Sequence, residues 1–277
     1  MTPTPDRVPA ATRYLQRHDG RIAYELRGSG PLVVLVPGMA DLRSSYRFLA
    51  PALVEAGYTV ASTDLRGHGD SDTTFGAYGD PETASDVAAL IAELGGPAVI
   101  VGNSLAAGAG VIVAADHPDR VSGLVLIGPF VRNPPTAAPL RVMFRVMTAT
   151  PWVAAVWGAY LPSLYAGRKP DDFDDYRAAV LTAMRRPGHR RAFSRTAREA
   201  DHARAEARLG EVDVPVLVVM GENDPDFADP PAEARWIADT LHGDVAMVAE
   251  AGHYPQSQQP QVTTEAVLTF LGRHGRG

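Results

Sequence analysis

Cysteine is absent from the 277 residues. That absence excludes disulfides, cysteine-ligated zinc, iron–sulfur clusters and thiol catalysis, and it accords with a reducing compartment. No apolar run is long enough to span a bilayer, and the N-terminal MTPTPDRVPA carries no apolar stretch of the signal-peptide kind. The expectation is a soluble, cytoplasmic protein with no membrane partner. A positive balance is missing as well. The 26 Lys+Arg stand against 32 Asp+Glu, for a net charge of −6, and an acidic surface is a poor partner for nucleic acid. Gly28–Ser29–Gly30 follows no buried strand, no Walker A or HExxH sequence occurs, and the eight histidines form no metal-ligand spacing. No cofactor and no metal are therefore expected.

What is present is alternation. RYLQRHDGRIAYELRG has two semi-alternating segments around Asp19–Gly20, a hairpin signal. PLVVLVPG, YTVASTDLRG, AVIVGNS, VSGLVLIGP, VPVLVVMGEND and DVAMVAEAGH read as strands, most of them continuously apolar, as strands covered on both faces are. Between them lie helical patterns at Tyr46–Ala56, Pro81–Leu94, Leu105–Asp116, Pro231–Leu241 and Val262–Leu271. Strands alternating with helices predict an α/β fold with a mostly parallel central sheet and helices on both faces. From Val131 to Gly210 no comparable strand occurs, only helical segments broken by proline and glycine. The expected organisation is a core domain of residues 1–130 and 211–277 with a helical cap of residues 131–210 inserted into it. Charge divides the same way: the insertion holds 14 Lys+Arg against 7 Asp+Glu, the remainder 12 against 25. The basic excess is either a solvated outer face or a local field for an anionic substrate.

Three residues follow the ends of predicted strands and carry complementary chemistry. Ser104 stands where an apolar strand runs directly into a helix, a sharp turn that lifts its hydroxyl above the sheet. Serine at a helix start is also a common cap; the strand before it and the small residues after it favour a nucleophile. The N–H of Leu105 would face a developing oxyanion, and that of Met39, after Val36–Pro37–Gly38, would be the second donor. Asp224 in GEND could fix a histidine tautomer, with Glu222 and Asp226 as rivals and turn formation as the plain alternative for all three. His253 in AEAGHYP would be general base and then general acid. Phe144, Trp152, Trp157, Tyr160, Tyr165 and Tyr254 are candidates for lining a pocket for an apolar or aromatic substrate, although a small helical cap needs such residues for packing alone.

Together these motifs resemble the α/β-hydrolase superfamily over nearly the whole chain. GNSLA is similar to its nucleophile elbow, GEND to its acid loop, AGHYP to its histidine loop, DLRGHGDSD to its segment after the fourth strand, and the insertion to its cap. The resemblance implies a serine hydrolase working through Ser104, His253 and Asp224 on a small-molecule carboxylic ester or related acyl compound, without cofactor, as a monomer or homodimer. Two departures stand out: Pro37–Gly38 replaces the usual His-Gly, and Ala106 the usual glycine. A serine at 104 argues against epoxide hydrolases and haloalkane dehalogenases of this fold, which need a carboxylate there. Asn103 and Tyr254 are similar to those of carbon–carbon bond hydrolases, so that chemistry, or perhydrolysis on the same triad, is an alternative. A catalytically silent ligand-binding protein is another.

Overall fold

The computed structural model describes residues 11–134 and 138–274, the side chains of 138–141 excepted. Eight strands form one sheet in the order β1-β2-β4-β3-β5-β6-β7-β8. They are β1 (Arg13–Arg17), β2 (Gly20–Arg27), β3 (Leu32–Val36), β4 (Thr59–Thr63), β5 (Ala98–Asn103), β6 (Val121–Ile127), β7 (Val216–Gly221) and β8 (Asp244–Val248). β2 pairs antiparallel with both β1 and β4, and every pairing from β4 to β8 is parallel. The expected hairpin forms, turning at His18–Asp19 with Arg17 opposite Gly20.

The apolar strands are explained by what covers them. Along β3, Val34 and Val36 face one buried cluster while Val33 and Leu35 face the other. β5 and β6 divide likewise: Ile100, Leu124 and Leu126 on one side, Val99, Val101, Val125 and Ile127 on the other. A two-residue period with both faces covered leaves no position for a polar residue. Each such side chain contributes about 1.5–3 kcal/mol by leaving water. One face receives α2 (Asp80–Leu94), α3 (Leu105–Asp116) and α9 (Pro230–Leu241); the other receives α1 (Leu49–Glu55) and α11 (Pro260–His274). α2 ends at Gly95, whose φ of 77° supplies the left-handed residue that a helix C-terminus favours. Among the described residues no helix is long and apolar enough to cross a membrane.

Between β6 and β7 the chain leaves the sheet and forms α4 (Ala138–Met147), α5 (Val153–Leu164), α6 (Phe173–Arg185), α7 (His189–Glu199) and α8 (Ala203–Arg208). The inserted region has its own buried cluster, in which Trp157, Leu161, Tyr165, Phe173, Tyr176 and Phe193 pack with Ala40 and Tyr254 of the sheet domain. It is also tied down by polar contacts. Arg47 donates to Asp172 at 2.6 Å, Arg186 to Asp70 at 2.9 Å and Arg195 to the Gly76 carbonyl at 2.6 Å, while Tyr176 hydrogen-bonds the buried Asp41. Part of the insertion's arginine excess therefore binds it to the acidic domain below.

One helix start is displaced by three residues, and one short helix is additional to the expectation. The segment predicted as a helix from Tyr46 opens as a 3-10 turn at Arg43–Tyr46, and the α-helix starts only at Leu49. Arg43 is drawn towards Asp64, Asp70 and Glu25, which sets the direction in which the chain enters. A short helix, α10 (Pro255–Gln258), also precedes α11 and was not expected.

Candidate active site

The parallel strands β3, β5, β6, β7 and β8 all point the same way, so the loops after them gather at one edge, where open α/β sheets hold their ligands. Ser104 lies between β5 and α3 with φ 59° and ψ −125°, a conformation that costs a non-glycine residue of order 1–3 kcal/mol. Its surroundings impose it. The Ser104 N–H donates to the Ile127 carbonyl at 2.9 Å, and its own carbonyl accepts from Ala107 at 3.0 Å and Phe130 at 3.3 Å. Gly102 is required two residues earlier, because a Cβ there would lie 2.5 Å from the Ala106 carbonyl oxygen. Gly38 is required across the gap, where a Cβ would fall 2.9 Å from that of Ser104. Leu105 is buried as the first residue of α3, so its N–H is among the helix's N-terminal donors without an intrahelical acceptor. Met39 is half-buried beside Gly38.

His253 and Asp224 meet directly. His253 Nδ1 lies 2.8 Å from Asp224 Oδ2, both side chains almost fully buried, and Asp224 Oδ1 accepts the Asp226 N–H at 3.0 Å. A carbonyl on one side and an amide on the other hold the backbone of His253. The His253 N–H donates to Leu164 O at 2.8 Å, and the Asn103 side-chain amide donates to His253 O at 3.2 Å and to Ile127 O at 3.0 Å. Asn103 thus ties the serine turn to the histidine loop. Gly128, with φ 49°, leaves the space for this pair, since a Cβ there would be 3.1 Å from His253 Nδ1 and 3.2 Å from Asp224 Oδ2. Of the two rival carboxylates, Glu222 is exposed, whereas Asp226 approaches His253 Nδ1 to 3.6 Å. Asp224, Asp226 and His253 offer donor atoms within 4.8 Å of one another, as a metal site would. Nδ1 is already engaged with Asp224, however, which makes the group a hydrogen-bonded pair with a second carboxylate beside it.

The electrostatics follow from that crowding. Burial disfavours the imidazolium of His253, but Asp224 and Asp226 outweigh it and lift its pKa from the ordinary 6.5 to about 9. Burial also raises the Asp41 carboxyl to about 6, even though Tyr176 and Arg47 stabilise its charge.

The candidate pocket aromatics separate into two groups. Trp157, Tyr165 and Tyr254 are buried together under the cap, with Met39 packed against them; Tyr165 stacks on Tyr254 at 4.8 Å, and His253 meets Tyr254 edge-on at 5.2 Å. Tyr160 is partly exposed but turns its hydroxyl to Asp226. Phe144 and Trp152 do not join the cluster. They are 44% and 47% exposed, the Trp152 indole is satisfied by the Val146 carbonyl at 2.7 Å, and neither ring has a partner in the buried seam. Two residues at this edge were not anticipated. Phe130 tilts over His253 at 6.0 Å and stacks on Phe227 and His202; its place just after VSGLVLIGP was the available signal. Asp41 had none beyond lying three residues after Gly38.

A model of the alpha/beta hydrolase family matches residues 33–266. The 2-(acetamidomethylene)succinate hydrolase of Mesorhizobium japonicum is 31% identical over 91% of this chain and 92% of its own. A pimeloyl-[acyl-carrier protein] methyl ester esterase of Neisseria meningitidis is 31% identical over 80% of this chain and 86% of its own. Among solved structures, a bromoperoxidase from Bacillus anthracis superposes with a TM-score of 0.84 at 20% identity, covering 95% of this chain and all of that one.

Proposed function

Since the chain belongs to the alpha/beta hydrolase family, we propose that it is a serine hydrolase that cleaves small-molecule carboxylic esters through an acyl-enzyme. The observation that carries this reading is the buried His253–Asp224 pair at 2.8 Å, at the same sheet edge as a serine held at φ 59°. Asp224 fixes the tautomer of His253 with the proton on Nδ1, which leaves Nε2 to take the proton of the Ser104 hydroxyl. The Ser104 oxygen attacks the ester carbonyl, and the N–H groups of Leu105 and Met39 receive the negative charge that develops on its oxygen. The imidazolium, stabilised by Asp224, then gives its proton to the departing alcohol. A water molecule deprotonated by the same histidine releases the acid and restores the serine.

Two of the relatives support an ester or an amide-like acyl compound as substrate, the methyl ester esterase most directly. The test is a panel of esters, lactones and amides assayed with the wild type beside Ser104→Ala, together with covalent labelling by a fluorophosphonate. Labelling at Ser104, and turnover lost in the alanine variant, are the expected results. A folded Ser104→Ala protein with wild-type turnover would refute the reading.

A further inference from the structure

Asp226 was a rival for the role that Asp224 fills, yet the structure gives it a distinct set of partners. One oxygen, Oδ1, accepts a hydrogen bond from the Tyr160 hydroxyl of cap helix α5 at 2.6 Å. The other, Oδ2, lies 3.6 Å from His253 Nδ1, beyond hydrogen-bond length but well within the range of an ion pair. The Tyr160 ring in turn packs on Trp157, which is buried in the cap cluster at 5.8 Å between ring centres. A continuous path therefore runs from the cap's interior through one phenol and one carboxylate to the imidazole. We propose that Asp226, oriented by Tyr160 of the cap, is a positioning residue that holds His253 in its protonated form until the carboxylate is displaced, so that the charge state of the base is coupled to the seating of the cap.

This inference rests on the reading of His253 as the base for Ser104. A base must be neutral to accept a proton, so anything that stabilises the imidazolium slows the enzyme below the pKa it creates. Other groups also face the imidazole. Asp224 lies beside Asp226 on the loop after β7, Asp41 acts from the loop after β3, and Tyr254 is its chain neighbour. His202, hydrogen-bonded to Asp80, stands behind the ring of Phe130. Asp224 is bound to both His253 and the Asp226 N–H and cannot turn away. Asp41 is buried and hydrogen-bonded to Tyr176. Asp226 differs from both: unlike Asp41, which a cap tyrosine of α6 also holds, it is half-buried, and its side-chain anchor is Tyr160 of α5. It is the carboxylate near His253 that a movement of α5 would release.

The experiment follows the rate of Ser104 labelling by a fluorophosphonate from pH 5 to 10 in the wild type, Asp226→Asn, Tyr160→Phe and the double variant. Circular dichroism on each verifies the fold. The wild-type rate should rise with pH through a midpoint well above 7. Asp226→Asn should lower that midpoint by about one pH unit, which raises the rate at pH 7 about tenfold. Tyr160→Phe frees the carboxylate to turn outward and should move the midpoint the same way by less, and the double variant should match Asp226→Asn alone. An unmoved midpoint in Asp226→Asn, or effects that add in the double variant, would overturn the proposal. If the wild type is not labelled at Ser104, the hydrolase reading fails instead. The ring-nitrogen shifts of 15N-labelled His253, titrated in the same four proteins, then still decide whether Asp226 and Tyr160 set its protonation.

Discussion

Two groups of aspartates lie at the same edge of the sheet and are treated in opposite ways. After β4, carboxylates are matched to guanidinium groups: Arg43 reaches Asp64, Asp70 and Glu25, Arg186 adds to Asp70, Arg21 holds Asp72, and Arg17 and Arg66 hold Asp86. Around the candidate site, Asp41, Asp224 and Asp226 meet a tyrosine, an imidazole, and a second tyrosine with the same imidazole. The consequence shows in the charge of the less buried carboxylates, although burial raises Asp64 even beside Arg43. Arg21 pulls Asp72 below the usual carboxylate range, and at Asp70 two arginines overcome the cost of partial burial to do the same. At the site, burial lifts Asp41 to about 6, and the crowded carboxylates outweigh burial to lift His253 to about 9. The carboxylates after β4 are given partners that never titrate, whereas those around the candidate site face groups that can lose or share a proton.

The largest test of this contrast is at the serine. Ser104→Ala should lower ester turnover by about 10⁴-fold or more and leave the melting curve nearly unchanged, as read by initial rates and thermal denaturation. Next comes Asp224→Asn. It should cost about 10³–10⁴-fold in kcat by leaving His253 in the wrong tautomer, whereas Asp226→Asn, one turn residue removed, raises the rate at pH 7. Equal losses in the two variants would erase the distinction between these carboxylates. Arg43→Met reverses the pattern, because removing one partner of a buried pair strands Asp64. A loss of about 3–5 kcal/mol in urea unfolding is expected, with kcat/KM of the folded protein retained. Arg186→Ala, on a pair about half exposed at each end, should cost no more than about 1 kcal/mol and fade with salt. The smallest effect concerns substrate charge. If the insertion's arginines attract anions, kcat/KM for a carboxylate-bearing ester falls by a few-fold relative to its neutral analogue between 0.1 and 1 M salt, as the Debye length shrinks from about 10 to about 3 Å. Parallel salt curves for the two esters would assign those arginines to holding the cap.

The sequence announces the sheet more clearly than the site. VVLV and VIV suit strands covered on both sides, and Leu105–Asp116 is helical over the same residues in sequence and structure, because Ser104 before it and His117 after it break the pattern. The meeting of Asp224 with His253 was legible from their positions after β7 and β8. Which of Asp224 and Asp226 hydrogen-bonds the imidazole is set by the turn itself, where the Asp226 N–H caps the Asp224 carboxylate, and such a contact leaves no trace in composition. The start of α1 was displaced for a similar reason, since the Arg43–Asp64 contact joins residues twenty-one apart. Phe144 and Trp152 lie outside the buried cluster of the cap, and aromatic character alone does not say which face of a cap a ring occupies.

The inserted helices leave the sheet after β6 and return at β7, and those two strands are hydrogen-bonded neighbours, paired from Leu124–Val216 to Ile127–Val219. Both ends of the insertion are therefore anchored at a single seam, and among the described residues none between them pairs with the sheet. In evolutionary terms the roof can be lengthened, shortened or exchanged as one piece without re-registering the sheet beneath. A lineage can thus change what enters the site, provided that it rebuilds the contacts that tie the roof to the sheet domain, among them Arg47 to Asp172, Asp41 to Tyr176, Arg186 to Asp70, Asp226 to Tyr160 and the His253 N–H to the Leu164 carbonyl.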